Sequence, residues 1–218
     1  MVSNLSKEVK LYPMVEKWMK KHFQCFQTSK NTGLIHGRID VVGVRDVGGE
    51  LAGDIETISI EVKRGTEAFV TACGQALGYK IYANRVYLAD IRSDSFSHDE
   101  IKIASHLGIG LIQIKNRTCR EILSSPFYTP MISHNLSLLA KLALGKCQIC
   151  GSFFTTGNID KKYNHWENLS RVMETSYDKD KGFWWWLYEI GERRNKIAGK
   201  SSAKGIADRR FVCPDCVN

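Results

Sequence analysis

The chain has 218 residues, 43% of them hydrophobic, enough for one large domain or one domain with a small module. Its 31 basic and 23 acidic residues leave a formal net charge of +8, a balance that suits a polyanionic partner. No run reaches the roughly 18 apolar residues of a membrane span and the first residues lack a signal-peptide core, so a soluble, cytoplasmic protein with no membrane partner is expected.

In chain order, residues from about Lys7 to Phe23 read as an amphipathic helix, with Val9, Tyr12, Val15, Met19 and Phe23 at helical spacing and Pro13 where a helix can begin. Glu16 falls beside the inward stripe rather than among Lys17, Lys20 and Lys21. It either pairs with Lys20 one turn on or serves a site. A short strand is expected from Phe23 to Thr28 and a turn at Lys30-Asn31-Thr32-Gly33.

Two strands carry the chemistry. The first, roughly Leu34 to Arg45, holds Asp40, and the turn-rich Val47-Gly48-Gly49-Glu50 predicts an antiparallel return. The second, Thr57 to Arg64, alternates Thr57, Ser59, Glu61 and Lys63 with Ile58, Ile60, Val62 and Arg64, which predicts one face on a core and the other open. Two carboxylates and an ammonium would then converge at a rigid place. Paired carboxylates favour a hard divalent cation such as Mg²⁺, and a neighbouring lysine holds a water or a phosphate oxygen. The plain alternative is a solvated strand face with a Glu61–Lys63 ion pair.

Residues Glu67 to Tyr82 read as a helix with Ala68, Ala72, Gln75, Tyr79 and Tyr82 on one face. A strand from Arg85 to Asp90 follows, then a helix opened by the capping box Ser97-His98-Asp99-Glu100 and closed by Gly108, then a strand from Gly110 to Lys115. Strand, helix and strand at these lengths predict parallel crossovers and an α/β sandwich. Residues 116–132 show no clear period and read as a connector.

A second unit begins with an apolar helix from Ser133 to Leu144. Two Cys-x-x-Cys knuckles, Cys147 with Cys150 and Cys213 with Cys216, fit a tetrahedral structural Zn²⁺ site. They are about sixty residues apart, longer than a compact ribbon, so a helical lobe is expected between them; a redox pair or two unrelated buried pairs are the alternatives. Cys25, Cys73 and Cys119 stand alone and read as core filling. In the lobe, Trp166, Leu169 and Met173 form one helical stripe, and Trp184-Trp185-Trp186 either pack or stack on bases. Arg193, Arg194, Lys196, Lys200, Lys204, Arg209 and Arg210 either track phosphates or form a solvated face.

On these residues the first part resembles the PD-(D/E)XK nuclease superfamily, whose order is a helical acid, an Asp, an acid-x-Lys on the next strand and then a helix. Here these are Glu16, Asp40, Glu61-Val62-Lys63, and the helix bearing Gln75 and Tyr79, which matches the Gln-x-x-x-Tyr signature of some branches. The resemblance covers roughly residues 7 to 115, and Asp40 follows Ile39 rather than Pro. It implies a restriction-endonuclease-like mixed-sheet sandwich with an α-β-β-β-α-β core over residues 1–118. Residues 119–132 would connect this to a smaller, mainly helical zinc domain over 133–218. It further implies Mg²⁺ or Mn²⁺ held by Asp40, Glu61 and the Val62 carbonyl, with Lys63 orienting or helping to deprotonate water. Glu16 would hold a second ion or a metal-bound water, and Gln75 and Tyr79 would position the site or the nucleic-acid backbone. The expected activity is metal-dependent hydrolysis of DNA phosphodiester bonds, as an endonuclease in restriction, repair or recombination; cutting both strands of a duplex would imply a homodimer. Two other readings are a zinc-containing DNA-binding module without catalysis and an assembly factor that uses the tryptophans.

Overall fold

The structure is a computed structural model that describes residues 8–34, 36–48, 54–146 and 153–155. The four knuckle cysteines, the tryptophans from Trp166 onward and the basic tract from Arg193 to Arg210 lie outside the described residues. The chain divides into two compact units, residues 1–138 and 139–218.

The first unit is built on a six-stranded mixed sheet in the order β1-β2-β3-β4-β5-β6: Gln27–Leu34, Gly37–Asp46, Ile55–Lys63, Arg85–Ile91, Gly110–Lys115 and Thr118–Leu123. The first three strands and the last pair run antiparallel, while β3, β4 and β5 are mutually parallel. Helix α1 (Tyr12–His22) precedes the sheet, α2 (Phe69–Leu77) runs into a 3₁₀ turn (Gly78–Ile81) between β3 and β4, and α3 (His98–Leu107) joins β4 to β5. Helix α4 (Ile132–Lys141) follows β6. Among the described residues of the second unit, β7 (Leu144–Lys146) pairs antiparallel with β8 (Phe153–Thr155).

One sheet face packs on α1. Tyr12, Val15 and Met19 form the buried stripe of this helix, and they meet Val41, Ile58, Ile60, Val62, Tyr87, Ala89, Ile112 and Ile114. Proline sits in the first turn of this helix, where its fixed φ suits the place and its missing N–H costs nothing. Strand β3 departs from expectation in being buried on both faces, with Thr57 and Ser59 fully enclosed. Thr57 survives there because its hydroxyl and amide both bond the Asn84 side chain, at 2.7 and 2.9 Å.

Two segments differ from the sequence reading. Residues 30–33 are strand, not turn: Lys30 pairs with Val41 and Thr32 with Ile39, while Asn31 takes a positive φ of 56° inside the strand. Asparagine tolerates that region, so punctuation that looked like a hairpin end is absorbed as a local kink. Residues 118–123, read as part of a connector, form β6 on the sheet edge. Asn116 and Arg117 both have positive φ, the requirement of a tight two-residue hairpin, without the Asn-Gly pair that usually announces one. Among the described residues no helix is long and apolar enough to cross a membrane.

The capping box forms as read: the Ser97 hydroxyl accepts from the Glu100 amide at 3.2 Å and Glu100 accepts from the Ser97 amide at 2.8 Å, with Gly108 left-handed at the far end. Ser97→Ala is expected to destabilise the protein by about 1 kcal/mol, measurable as a shift of the urea midpoint at constant m-value.

Candidate active site

The site lies where β2 and β3 part. Their ladder runs from Asp46 opposite Ile55 to Val41 opposite Ile60. At the next step the Asp40 side chain takes over, its Oδ2 accepting from the Val62 amide at 2.9 Å and its Oδ1 from the Tyr12 hydroxyl at 2.5 Å. A backbone donor released by the divergence is thus satisfied by a carboxylate. The preceding turn of chain, from Glu8 into α1, delivers Tyr12 to the same place.

Glu61 and Lys63 alternate with the apolar residues of β3, so both stand on the face opposite α1. Glu61 Oε1 pairs with Lys63 Nζ at 2.9 Å, and Glu61 Oε2 meets the Tyr79 hydroxyl in a short contact. Lys63 also pairs with Glu67 at 2.9 Å. Glu67 is brought back by a turn at Gly65, whose amide donates to Asp90 Oδ1 at 2.5 Å. Gly65 has φ +75°, and a Cβ there would stand 2.5 Å from the Ile91 carbonyl oxygen, so only glycine fits.

A cleft of about 380 Å³ has Asp40, Glu61 and Lys63 within it and Glu8, His36, Arg38 and Gln75 around it. Glu61 and Lys63 are 5% and 7% exposed, so the charges are nearly withdrawn from water while remaining on a cleft wall. Burial pushes the Asp40 carboxyl up, against the pull of Tyr12, the Val62 amide and Lys63. Burial, then the Asp40 charge, raises Glu61. Glu8 is raised by burial, with Lys63 pulling it down and Glu61 and Glu67 pushing it up. Burial would lower Lys63, but its bonds to Glu61 and Glu67 win and hold it above the usual lysine range, hence a firm cation.

Tyr79 adds a constraint. Its single phenolic proton faces both the Arg38 carbonyl, at 2.7 Å, and Glu61. The phenol can donate to one of them at a time; its bond to Glu61 and that of Lys63 favour the ionised carboxylate, while burial and the Asp40 charge outweigh them and push that carboxyl up. Four acids, Glu8, Asp40, Glu61 and Glu67, surround the single ammonium of Lys63, so a cation bound among them would offset their mutual repulsion.

Of the residues singled out from the sequence, Asp40, Glu61, Lys63, Gln75 and Tyr79 come together, and Gln75 lies exposed on the cleft wall. Val62 contributes its amide to Asp40, and its side chain is buried against α1. Tyr79 bonds Glu61 and the Arg38 carbonyl, so it orients a carboxylate from within the cleft. Glu16 does not reach the cleft. It binds Lys30 at 2.9 Å, Lys20 at 3.9 Å and the Thr28 hydroxyl at 2.8 Å; burial works against its ionised form, but Lys30 and Thr28 hold its carboxyl below the usual range. The acid from this part of the chain that enters the cleft is Glu8, four residues before Tyr12. Tyr12, Glu8 and Glu67 went unread; the four-residue spacings Glu8–Tyr12 and Lys63–Glu67 were the available signals. Cys25 and Cys73 are buried free thiols and Cys119 is half-buried.

Replacing either phenol by Phe removes one orienting bond without removing the ring. If Asp40 and Glu61 hold a divalent ion, Tyr12→Phe and Tyr79→Phe are each expected to weaken its affinity by about 10-fold to 100-fold, as read by isothermal calorimetry with Mn²⁺.

No family model matches the chain, and no curated protein does. Among solved structures the chain is similar to a protein of unknown function from Silicibacter pomeroyi, at 21% identity over 61% of this chain and 81% of that one, with a TM-score of 0.45. The class that the fold and the site define is a mixed-sheet α/β protein with an acidic, lysine-bearing cleft at a strand divergence.

Proposed function

We propose that this chain is a divalent-metal-dependent deoxyribonuclease of restriction-endonuclease-like architecture. The observation that carries the reading is the meeting of Asp40, Glu61 and Lys63 in one cleft beside the end of the β2–β3 ladder. The α-β-β-β-α-β order of α1, β1 to β3, α2 and β4 supports it.

The donor chemistry fits a hard cation. Among the described residues no three His, Cys, Asp or Glu side chains form a ready cage, and Mg²⁺ is commonly held by one or two carboxylates and several waters. Asp40 and Glu61, with the Val62 carbonyl, are the residues that would hold it. Once bound, it would act as a Lewis acid on the scissile phosphate and on the charge that develops there. The chain's own residues do the rest. Tyr12 fixes one Asp40 oxygen and the Val62 amide the other, so the carboxylate cannot rotate. Tyr79 does the same for Glu61. Lys63, kept cationic by Glu67, places the attacking water or a non-bridging phosphate oxygen by electrostatic attraction. Glu8 replaces Glu16 as the third acid of the cleft. Cys147, Cys150, Cys213 and Cys216 are assigned to a structural Zn²⁺, and the basic tract from Arg193 to Arg210 to phosphate contact.

The direct experiment incubates the purified protein with plasmid and branched DNA in Mg²⁺, in Mn²⁺ and in EDTA. Cleavage that needs the metal supports the reading; binding in EDTA with no cleavage in either metal refutes it in favour of a non-catalytic DNA-binding protein.

The charge surplus also predicts a pH effect. Asp40, Glu61 and Glu8 hold protons more tightly folded than unfolded, so their contribution to stability is present below the unfolded carboxyl range, about pH 4, and is lost as pH rises through their raised values. A cation bound between the carboxylates offsets that loss. Millimolar Mg²⁺ is therefore expected to raise the melting temperature by roughly 3 to 5 °C at pH 8 and by less at pH 5.5, read by scanning calorimetry.

A further inference from the structure

The floor of the cleft repels a polyanion, so whatever holds the nucleic acid must stand at its rim. One side of that rim carries flat rings and donors. His36, exposed at the β1–β2 turn and lining the cleft, stacks on His134 of α4 with ring centroids 5.5 Å apart and planes 24° from parallel. Tyr82 backs the pair, 5.3 Å from His134, and its hydroxyl accepts from the His36 amide at 3.1 Å. Helix α4 is pinned there: Asn135 donates to the Tyr82 carbonyl at 2.7 Å and the Met131 amide to the Ile81 carbonyl at 3.1 Å. Arg38 stands two residues from His36 with an exposed guanidinium steered by Asn31 at 3.1 Å.

The His36 ring makes no hydrogen bond among the described residues, and nothing in the core needs it. An exposed aromatic shelf beside an arginine, at the mouth of a cleft with a phosphate-cleaving constellation, matches the way unpaired bases are held: a π-face for the ring and a cation for the backbone. Inside a continuous duplex both faces of every base are already stacked, so such a shelf finds no partner there.

We propose that the His36–His134 shelf receives an unstacked nucleotide next to the scissile phosphate and that Arg38 contacts its phosphate. The preferred substrate is then DNA with a single-stranded tail or flap adjoining the cut. This rests on the nuclease reading above.

The test places 2-aminopurine at the first unpaired position of a tailed duplex and measures its fluorescence with the full-length protein in Ca²⁺, alongside cleavage of tailed and blunt duplexes in Mg²⁺. The wild type should quench the probe and prefer the tailed DNA. His36→Ala should abolish the quenching and lower the tailed-to-blunt ratio of kcat/KM by about 10-fold. His36→Phe should keep both, which separates stacking from misfolding, and Arg38→Ala should raise KM for the tailed substrate more than for the blunt one. No quenching by the wild type, or an unchanged ratio in His36→Ala with a normal melting curve, overturns the shelf. Should the wild type cut neither DNA, the nuclease reading fails, and the quenching experiment, which needs no turnover, still decides whether His36 binds a base.

Discussion

Asp40→Asn is expected to abolish metal-dependent cleavage, by about 10³-fold or more, with little change in melting temperature. The asparagine keeps an oxygen to accept from the Val62 amide, and its NH₂ can donate to the Tyr12 phenol, which is able to accept as well as donate. What it loses is the negative charge. Lys63→Ala should fall by a similar factor, and Lys63→Arg should not restore activity, because a planar guanidinium cannot take the place of a compact ammonium between Glu61 and Glu67. Within the same series Glu8→Gln should lose more activity than Glu16→Gln, whose side chain binds Lys30 and Thr28 outside the cleft. Initial rates on plasmid DNA measure all five. Full activity in Asp40→Asn would remove the constellation from the mechanism.

Glu56→Ala is expected to destabilise the protein by about 3 kcal/mol, roughly 10 °C in melting temperature. Glu56 is 2% exposed at the opposite end of β3, where it bonds Arg45 of β2 and Arg85 of β4, each at 2.5 Å. Removing the carboxylate leaves two guanidinium groups facing one another without an acceptor, and the cost is moderated because both remain about a quarter exposed. Glu56 lies five steps along the strand from Glu61, about 16 Å, so kcat per folded molecule should be kept. Calorimetry together with rates at a temperature below the transition distinguishes this from a catalytic effect.

Much of this arrangement was legible in the residues themselves. The period-two pattern of β3 fixed which of its side chains share a face, and the spacing from Asp40 to Glu61 matched two antiparallel strands. The capping box and Gly108 gave α3 both its ends. Burial of the polar face of β3 was not legible, because a strand's own alternation does not say whether a helix and a 3₁₀ turn will cover its charged side. The direction Glu16 takes was not legible for a related reason: it lies one turn from Tyr12, and only the position of Lys30 on the neighbouring strand decides that it turns toward β1. Strand β6 was missed because its hairpin relies on two non-glycine residues at positive φ, for which single residues give little warning.

The Val62 amide has a consequence of its own. Its proton is retained by a carboxylate rather than by the neighbouring strand, so its exchange with deuterated solvent should follow events at Asp40 while the amides of Ile58 and Ile60 follow opening of the sheet. A single backbone resonance would thus act as an intrinsic, label-free gauge of the cleft, separating a ligand that engages this carboxylate from one that merely tightens the whole molecule.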